Sequence, residues 1–434
     1  MKKPVLLKTW WVIIIVYFFA EFILLRKTFF FHDEWTFIHQ ILLSPTTFIL
    51  TPHNGHFWPL FAGMYFLMYR LFGLNYWPYK TILLIFHFAN VYLLYLIIGL
   101  LSKNKFVAFC FSLVFLVSSV YWEVLFSAST LPTVLCLFFI NFGIYLYMIY
   151  KKRKQRKYLY LSGVSFLTSG FSWGAGLFFP SIFILLLIAK IASRKKIRSK
   201  ELLVYLLVQG ILFLIYIYFS GKGAVGTFDL NKVILFTVSG IKWLTISFYT
   251  SSPGFTKIFF VIVVLFSFLL YQSLRDKRNW TTFRSDLSAD VPCLIFALSG
   301  VFYFYFISAL SRSQIDMRLA FSSRYTYLPL YFLVVFNSLV VDCWLSVASL
   351  RTKKILFTYF LLIFFANIYF FRIYYRSWTE TISIPNKKLF WQIANTASEK
   401  ERAKIVVPST FHDFYKPEDI YFIFSRSKEN VSER

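Results

Sequence analysis

His32-Asp33-Glu34-Trp35 sets two carboxylates side by side just past the first long apolar run, in a 434-residue chain with only 19 acidic residues. Adjacent acids in such a place are material for a general base. A carboxylate held among apolar rings, here Phe29, Phe30, Phe31 and Trp35, has its charged form disfavoured and its affinity for a proton raised. Asp33 is the catalytic candidate, and Glu34 is read as a neighbour that binds substrate. The alternative, two solvated acids in a loop, is weakened by their scarcity and by the surrounding rings.

Further candidates follow along the chain. His53 and His56 in Pro52-His53-Asn54-Gly55-His56 have the donor type and spacing to hold a divalent ion together with Asp33. The Pro52 and Asn54-Gly55 turn favours hydrogen bonding to substrate or headgroups instead, so no metal is assigned. His39 and His32 are weaker, His32 reading as an interfacial side chain. Glu123, in Val120-Tyr121-Trp122-Glu123, is a lone acid at a span boundary, a position that points to function. Arg312, Arg318 and Arg324 stand where the charge pattern of the loops does not ask for cations. A guanidinium fork fits a phosphate, so Arg318, Arg324 and the adjoining Tyr325 are taken as substrate-binding. Pairing with Asp316 or lipid headgroups is the competing role for Arg312 and Arg318.

The elements that must position these residues are membrane helices. Hydrophobic residues make up 58% of the chain, aromatic 22% and charged 15%, with a mean hydropathy of +0.64. That is too apolar for a water-soluble globule. Apolar runs of roughly 20 residues, enough to cross a hydrocarbon core of roughly 30 Å, recur along most of the length. The expected fold is an all-α polytopic membrane protein. Its spans fall at about 9–26, 80–101, 106–121, 131–149, 158–171, 175–189, 201–219, 256–274, 291–310, 327–347 and 355–371, eleven in all. Residues 1–371 form the membrane domain, and 372–434 a short polar tail with a strand-like piece at Val406-Val407-Pro408.

The formal charge of +27 is topological and no nucleic acid is implied, because the basic residues cluster in short loops. With the N-terminus cytoplasmic, Lys103/Lys105, the run Lys151–Lys157, Arg194–Arg198, Arg275–Arg278 and Arg351–Lys354 all share the inner side. The C-terminus then lies outside. The outer face is expected to collect most acids of the membrane half, with loops at 27–79, around Glu123, at 172–174, at 220–255 and at 311–325. In the first of these, stretches such as Phe57–Phe72 suit interfacial helices. Cys110, Cys136, Cys293 and Cys343 lack metal or disulfide spacing and read as small core residues. Absence of Gly-x-x-x-x-Gly-Lys-[Ser/Thr], Gly-x-Gly-x-x-Gly after a strand and His-Glu-x-x-His argues against ATP-driven transport, dinucleotide chemistry and zinc proteolysis.

Several short segments, taken in order, carry a resemblance. They are His32-Asp33-Glu34-Trp35, Gly55-His56-Phe57-Trp58-Pro59-Leu60, Leu71-Phe72-Gly73-Leu74-Asn75, His87-Phe88-Ala89-Asn90, Trp122-Glu123 and Ser323-Arg324-Tyr325-Thr326-Tyr327-Leu328-Pro329. The chain resembles the GT-C superfamily of membrane glycosyltransferases, and within it bacterial and archaeal relatives of protein O-mannosyltransferases. The resemblance implies an inverting transfer of sugar from a polyprenyl-phosphate carrier to an acceptor hydroxyl on the extracytoplasmic face, with glycan, lipid or protein as acceptor. It implies Asp33 as the catalytic carboxylate and Arg324 as a holder of the carrier phosphate, with no cofactor. Two departures stand out: Lys80 occupies a place where relatives often show His, and the tail lacks a large soluble domain. A transporter of lipid-linked sugars and an O-antigen-type polymerase are the other readings.

Overall fold

The computed structural model describes residues 3–52, 57–192, 199–220, 229–249, 267–313, 316–407 and 417–432; among these there is no strand. His53 and His56 lie outside the described residues, as do most of the expected span at 256–274 and Pro408 of the strand-like piece. Val406 and Val407 are irregular backbone.

The protein is an all-α polytopic membrane protein. Eight helical stretches among the described residues are long and apolar enough to cross a bilayer. They fall on the helices α1 (Lys3–Leu25), α5 (Trp77–Leu101), α6 (Lys105–Val117), α8 (Leu131–Arg153), α11 (Ser199–Ser220), α13 (Lys277–Arg312), α14 (Tyr327–Val347) and α15 (Leu350–Trp378). Two more of the eleven expected spans fall on shorter helices, α9 (Arg156–Ser172) and α10 (Phe179–Ala192). The stretch 220–255, expected to be a loop, contains helix α12 (Leu230–Tyr249), whose apolar positions pack on α13. The first loop folds into α2 (Asp33–Leu43), α3 (Pro45–Leu50) and α4 (Pro59–Phe72).

The core lies between α5, α6, α8 and α14, whose side chains are largely buried, whereas α1 and α11 leave most of their apolar surface uncovered for lipid. Packing is by rings seated on small residues. A Cβ at Gly143 of α8 would stand 2.5 Å from the Phe166 ring of α9, so only glycine lets these two helices approach so closely. Gly176 is tighter still, since a Cβ there meets the backbone carbonyl of Ser169 and, at 3.0 Å, Cys136 Sγ. Gly176→Ala should therefore destabilise by roughly 1–3 kcal/mol in a denaturation measurement. Gly210→Ala, where a Cβ meets nothing within 4 Å, should be neutral or stabilising.

The span after α5 is broken. Helix α6 stops at Ser118, a 3-10 turn covers Ser119–Tyr121, and a five-residue helix, α7 (Trp122–Phe126), completes the crossing. Irregular backbone at this depth needs internal partners. Ser119 N–H donates to Asn367 Oδ1 at 2.9 Å, and the Tyr121 hydroxyl donates to the carbonyls of Phe115 and Leu116, the latter at 3.0 Å. His87 Nδ1 meets the Tyr327 hydroxyl at 2.9 Å, and its Nε2 lies 3.4 Å from the Tyr121 hydroxyl. That network joins α5, the break and the start of α14.

The basic end of the bundle also carries acids, contrary to the expectation that they gather at the other end. Asp342 accepts from the backbone of Lys103 and Asn104 at 2.7 and 3.1 Å, and Asp286 pairs with Lys103. Glu201 is buried and accepts from Tyr147, Tyr150 and Lys151 at 3.0–3.3 Å. Each tie joins segments that are far apart in sequence, so these acids hold helix ends together.

Helix α15 runs on past residue 371 into a π turn (Thr379–Ser383) and α16 (Ile384–Asn395), followed by α17 (Glu399–Arg402) and α18 (Pro417–Ser432). These rest on the first loop. Phe390 stacks on Trp35 at 5.0 Å, and the Ser427 and Tyr69 hydroxyls are 2.8 Å apart.

Candidate active site

Asp33 and Glu34 open α2, yet their side chains go to different places. Glu34 is fully buried and both its oxygens are taken. Oε2 accepts from Phe31 N–H at 2.7 Å; Oε1 accepts from the Tyr76 hydroxyl and Ser127 Oγ at 2.9 Å, from Ser129 N–H at 3.0 Å, and from Ala128 N–H. Burial pushes its carboxyl above the usual range, while the Lys80 ammonium and these donors work in the opposite sense. Lys80 is itself buried, donating to Leu125 O at 3.1 Å and lying 5.2 Å from the centre of the Tyr76 ring. Glu34 thus clamps the first loop to the turn Ala128–Thr130 that begins α8. It does not line the cleft described next, so its expected place against substrate is not where the side chain points.

Asp33 faces outward into that cleft. Its side chain is 21% exposed, its Oδ2 lies 3.9 Å from Arg324 Nη1, and its Oδ1 is 3.1 Å from His32 Nδ1. The turn before it is fixed by aromatic packing: Phe30 lies 4.5 Å from Tyr76, and Phe31 4.6 Å from Trp378, between ring centres.

Arg324 sits in a short 3-10 turn, Ser323–Tyr325, just before α14. Its Nε donates to Glu123 Oε1 at 2.8 Å and its Nη2 to the same oxygen, while Ser322 Oγ holds Glu123 Oε2 at 3.1 Å. Burial works against the Arg324 charge, but the Glu123 carboxylate, aided by Asp33, more than offsets this and raises its pKa. Glu123 occupies one edge of the guanidinium, which turns the Nη1 edge toward Asp33.

A cleft of about 60 Å³ opens where these groups meet, room for a few waters or the reacting groups of a ligand. Asp33, Arg324, Tyr325 and Arg312 supply its charged and polar wall. Ser129, Thr130 and Thr133 line it at the start of α8, and Phe37, Trp58 and Trp173 supply rings. Apart from Phe37, which lies within α2, these residues come from helix ends or loops. Among the described residues, no three His, Cys, Asp or Glu side chains gather as metal ligands would.

The chain matches no protein-family model and no curated protein.

The fold therefore brings Asp33, Glu123, Arg324 and Tyr325 together, from three segments up to 292 positions apart (325 minus 33). Arg318 stands apart: its side chain is 89% exposed, it pairs with Asp316 at 2.9 Å, and it is not on the cleft wall. Pairing with Asp316, the competing role for Arg318, is what the geometry contains. Sequence reasoning marked Lys80 only as a departure from the family pattern, without a role, although a cation inside an apolar run is itself a signal. It missed Ser129 and Trp173, ordinary residues until the turns around them are placed.

Proposed function

We propose that the protein is a membrane glycosyltransferase that moves a sugar from a polyprenyl-phosphate carrier to an acceptor hydroxyl. The observation that supports this best is that one carboxylate, Asp33, and one guanidinium edge, Arg324 Nη1, lie 3.9 Å apart on the wall of a single cleft at the end of a membrane helix bundle. Asp33 takes the proton of the acceptor hydroxyl as its oxygen attacks the anomeric carbon. The bond from that carbon to the phosphate oxygen breaks, and its electron pair leaves with the phosphate, next to Arg324. Attack from the face opposite the leaving group inverts the anomeric centre. A phosphate that takes over the Nη1 edge of Arg324 frees Asp33 Oδ2 from that contact. Glu123 keeps the guanidinium aimed, and Tyr325 and the cleft rings give the sugar a wall to lie against. The clustering of basic residues in the loops at the other end supports an extracytoplasmic position for this end of the bundle.

The test is direct. Purified protein is incubated with a panel of polyprenyl-phosphate sugars, and release of carrier phosphate is followed; no release with any donor and acceptor would refute the proposal. Arg324→Ala should slow release by roughly 10²- to 10³-fold. Arg324→Lys should recover little, because an ammonium cannot grip Glu123 side-on and still present a donor to the cleft. Equal activity of Arg324→Lys and the parent would remove Arg324 from the leaving-group role.

A transporter of lipid-linked sugars is the second reading, favoured by one observation: His87, Asn90 and Asn141 form a polar cluster midway along α5 and α8, Asn141 Nδ2 donating to Asn90 Oδ1 at 2.9 Å. Transport without phosphate release in vesicles would select it.

A further inference from the structure

His32 has an unusual backbone for what it does. It precedes α2 at the N-cap, where Ser, Thr, Asp or Asn normally accept a helix N–H, yet its side chain makes no capping bond. Its φ is +54° with ψ −120°, in a region that disfavours any residue with a Cβ. The helix does not need an imidazole there, and glycine would meet the backbone requirement without strain. What the conformation achieves is a contact between sequence neighbours. Side chains at i and i+1 do not face each other in regular structure, but here His32 Nδ1 lies 3.1 Å from Asp33 Oδ1. A carboxylate only accepts, so Nδ1 carries the proton and donates. The Phe31 ring, 5.3 Å away, packs beside the imidazole and is itself fixed on Trp378.

We propose that His32 is a positioning residue for Asp33: by holding Oδ1 it fixes the orientation of Oδ2, the oxygen that takes the acceptor proton. The inference rests on the transfer reaction proposed above. A freely rotating carboxylate would divide its time between the Arg324 side and other rotamers, and a misplaced base loses rate without losing substrate.

His32→Gly and His32→Asn separate this role from a structural one. Glycine relieves the backbone strain and removes the donor; asparagine keeps a Cβ in the same backbone conformation, as histidine does, and offers an Nδ2–H donor. With a polyprenyl-phosphate sugar, His32→Gly should lower kcat roughly 10- to 100-fold with KM within about twofold, and it should melt no lower than the parent. His32→Asn should recover most of the lost kcat. Parental kcat in His32→Gly would overturn the proposal, as would a drop that His32→Asn does not repair. A second readout needs no activity: the melting points of His32→Gly, Asp33→Ala and the double variant form a cycle, alanine removing the oxygen that His32 holds. Coupling of about 2 °C or more supports the pair; additive shifts refute it. If the parent itself releases no phosphate, the transfer reaction is what fails, and the cycle alone decides whether His32 holds Asp33.

Discussion

Replacing Asp33 with Asn is expected to slow sugar transfer by roughly 10²- to 10⁴-fold while insertion and melting stay as in the parent. Asparagine keeps the size of the side chain and an oxygen for His32, but it cannot take a proton. Stability should hold because Asp33 is partly exposed and its contact with Arg324, at 3.9 Å, is longer than a hydrogen bond; Arg324 remains anchored by Glu123. The effect should fall on kcat more than on KM, since a base acts in the transition state and contributes little to ground-state binding. Asp33→Glu should lie between the two, retaining a carboxylate displaced by one methylene. An Asp33→Asn protein with full transfer activity would show that the proton goes elsewhere.

Glu34→Ala is expected to do the opposite and remove stability by roughly 3–5 kcal/mol. The substitution strips the partner from five donors around the turn that starts α8 and leaves the Lys80 ammonium buried without a counter-charge. Glu34→Gln combined with Lys80→Met should recover part of the loss, because it removes both charges while filling the space. Denaturation of the purified variants measures this. If Glu34→Ala unfolds at the parental midpoint, the clamp is not what holds the first loop on the bundle. Neighbouring acids thus give contrasting signatures, kinetic for Asp33 and thermodynamic for Glu34.

That contrast marks where the sequence stops being informative. Both residues are acids after the same apolar run, and the sequence favoured Asp33 for catalysis but still gave Glu34 a place against substrate. Which one enters the core is decided by Phe30 packing on Tyr76 and by the backbone amides of Ala128 and Ser129 some 94 positions later. The same holds for the arginines. Arg318 and Arg324 are six residues apart in a similar setting, but only Arg324 meets the Glu123 carboxylate across the broken span. Helix α12 was hidden because Ser and Gly residues at its borders resemble a loop, and its apolar positions acquire meaning only once α13 lies beside it.

The sequence by itself determined the class of molecule, because runs of apolar residues at bilayer length admit only helices and because scarce acids at span ends are costly to keep without a use. It also singled out the catalytic candidate Asp33 together with Glu123 and Arg324. Only the tertiary structure decided which of the candidates share a cleft and in what orientation. Ion-pair geometry and burial depend on partners hundreds of residues away, and no local pattern encodes the direction in which a side chain turns at a helix end.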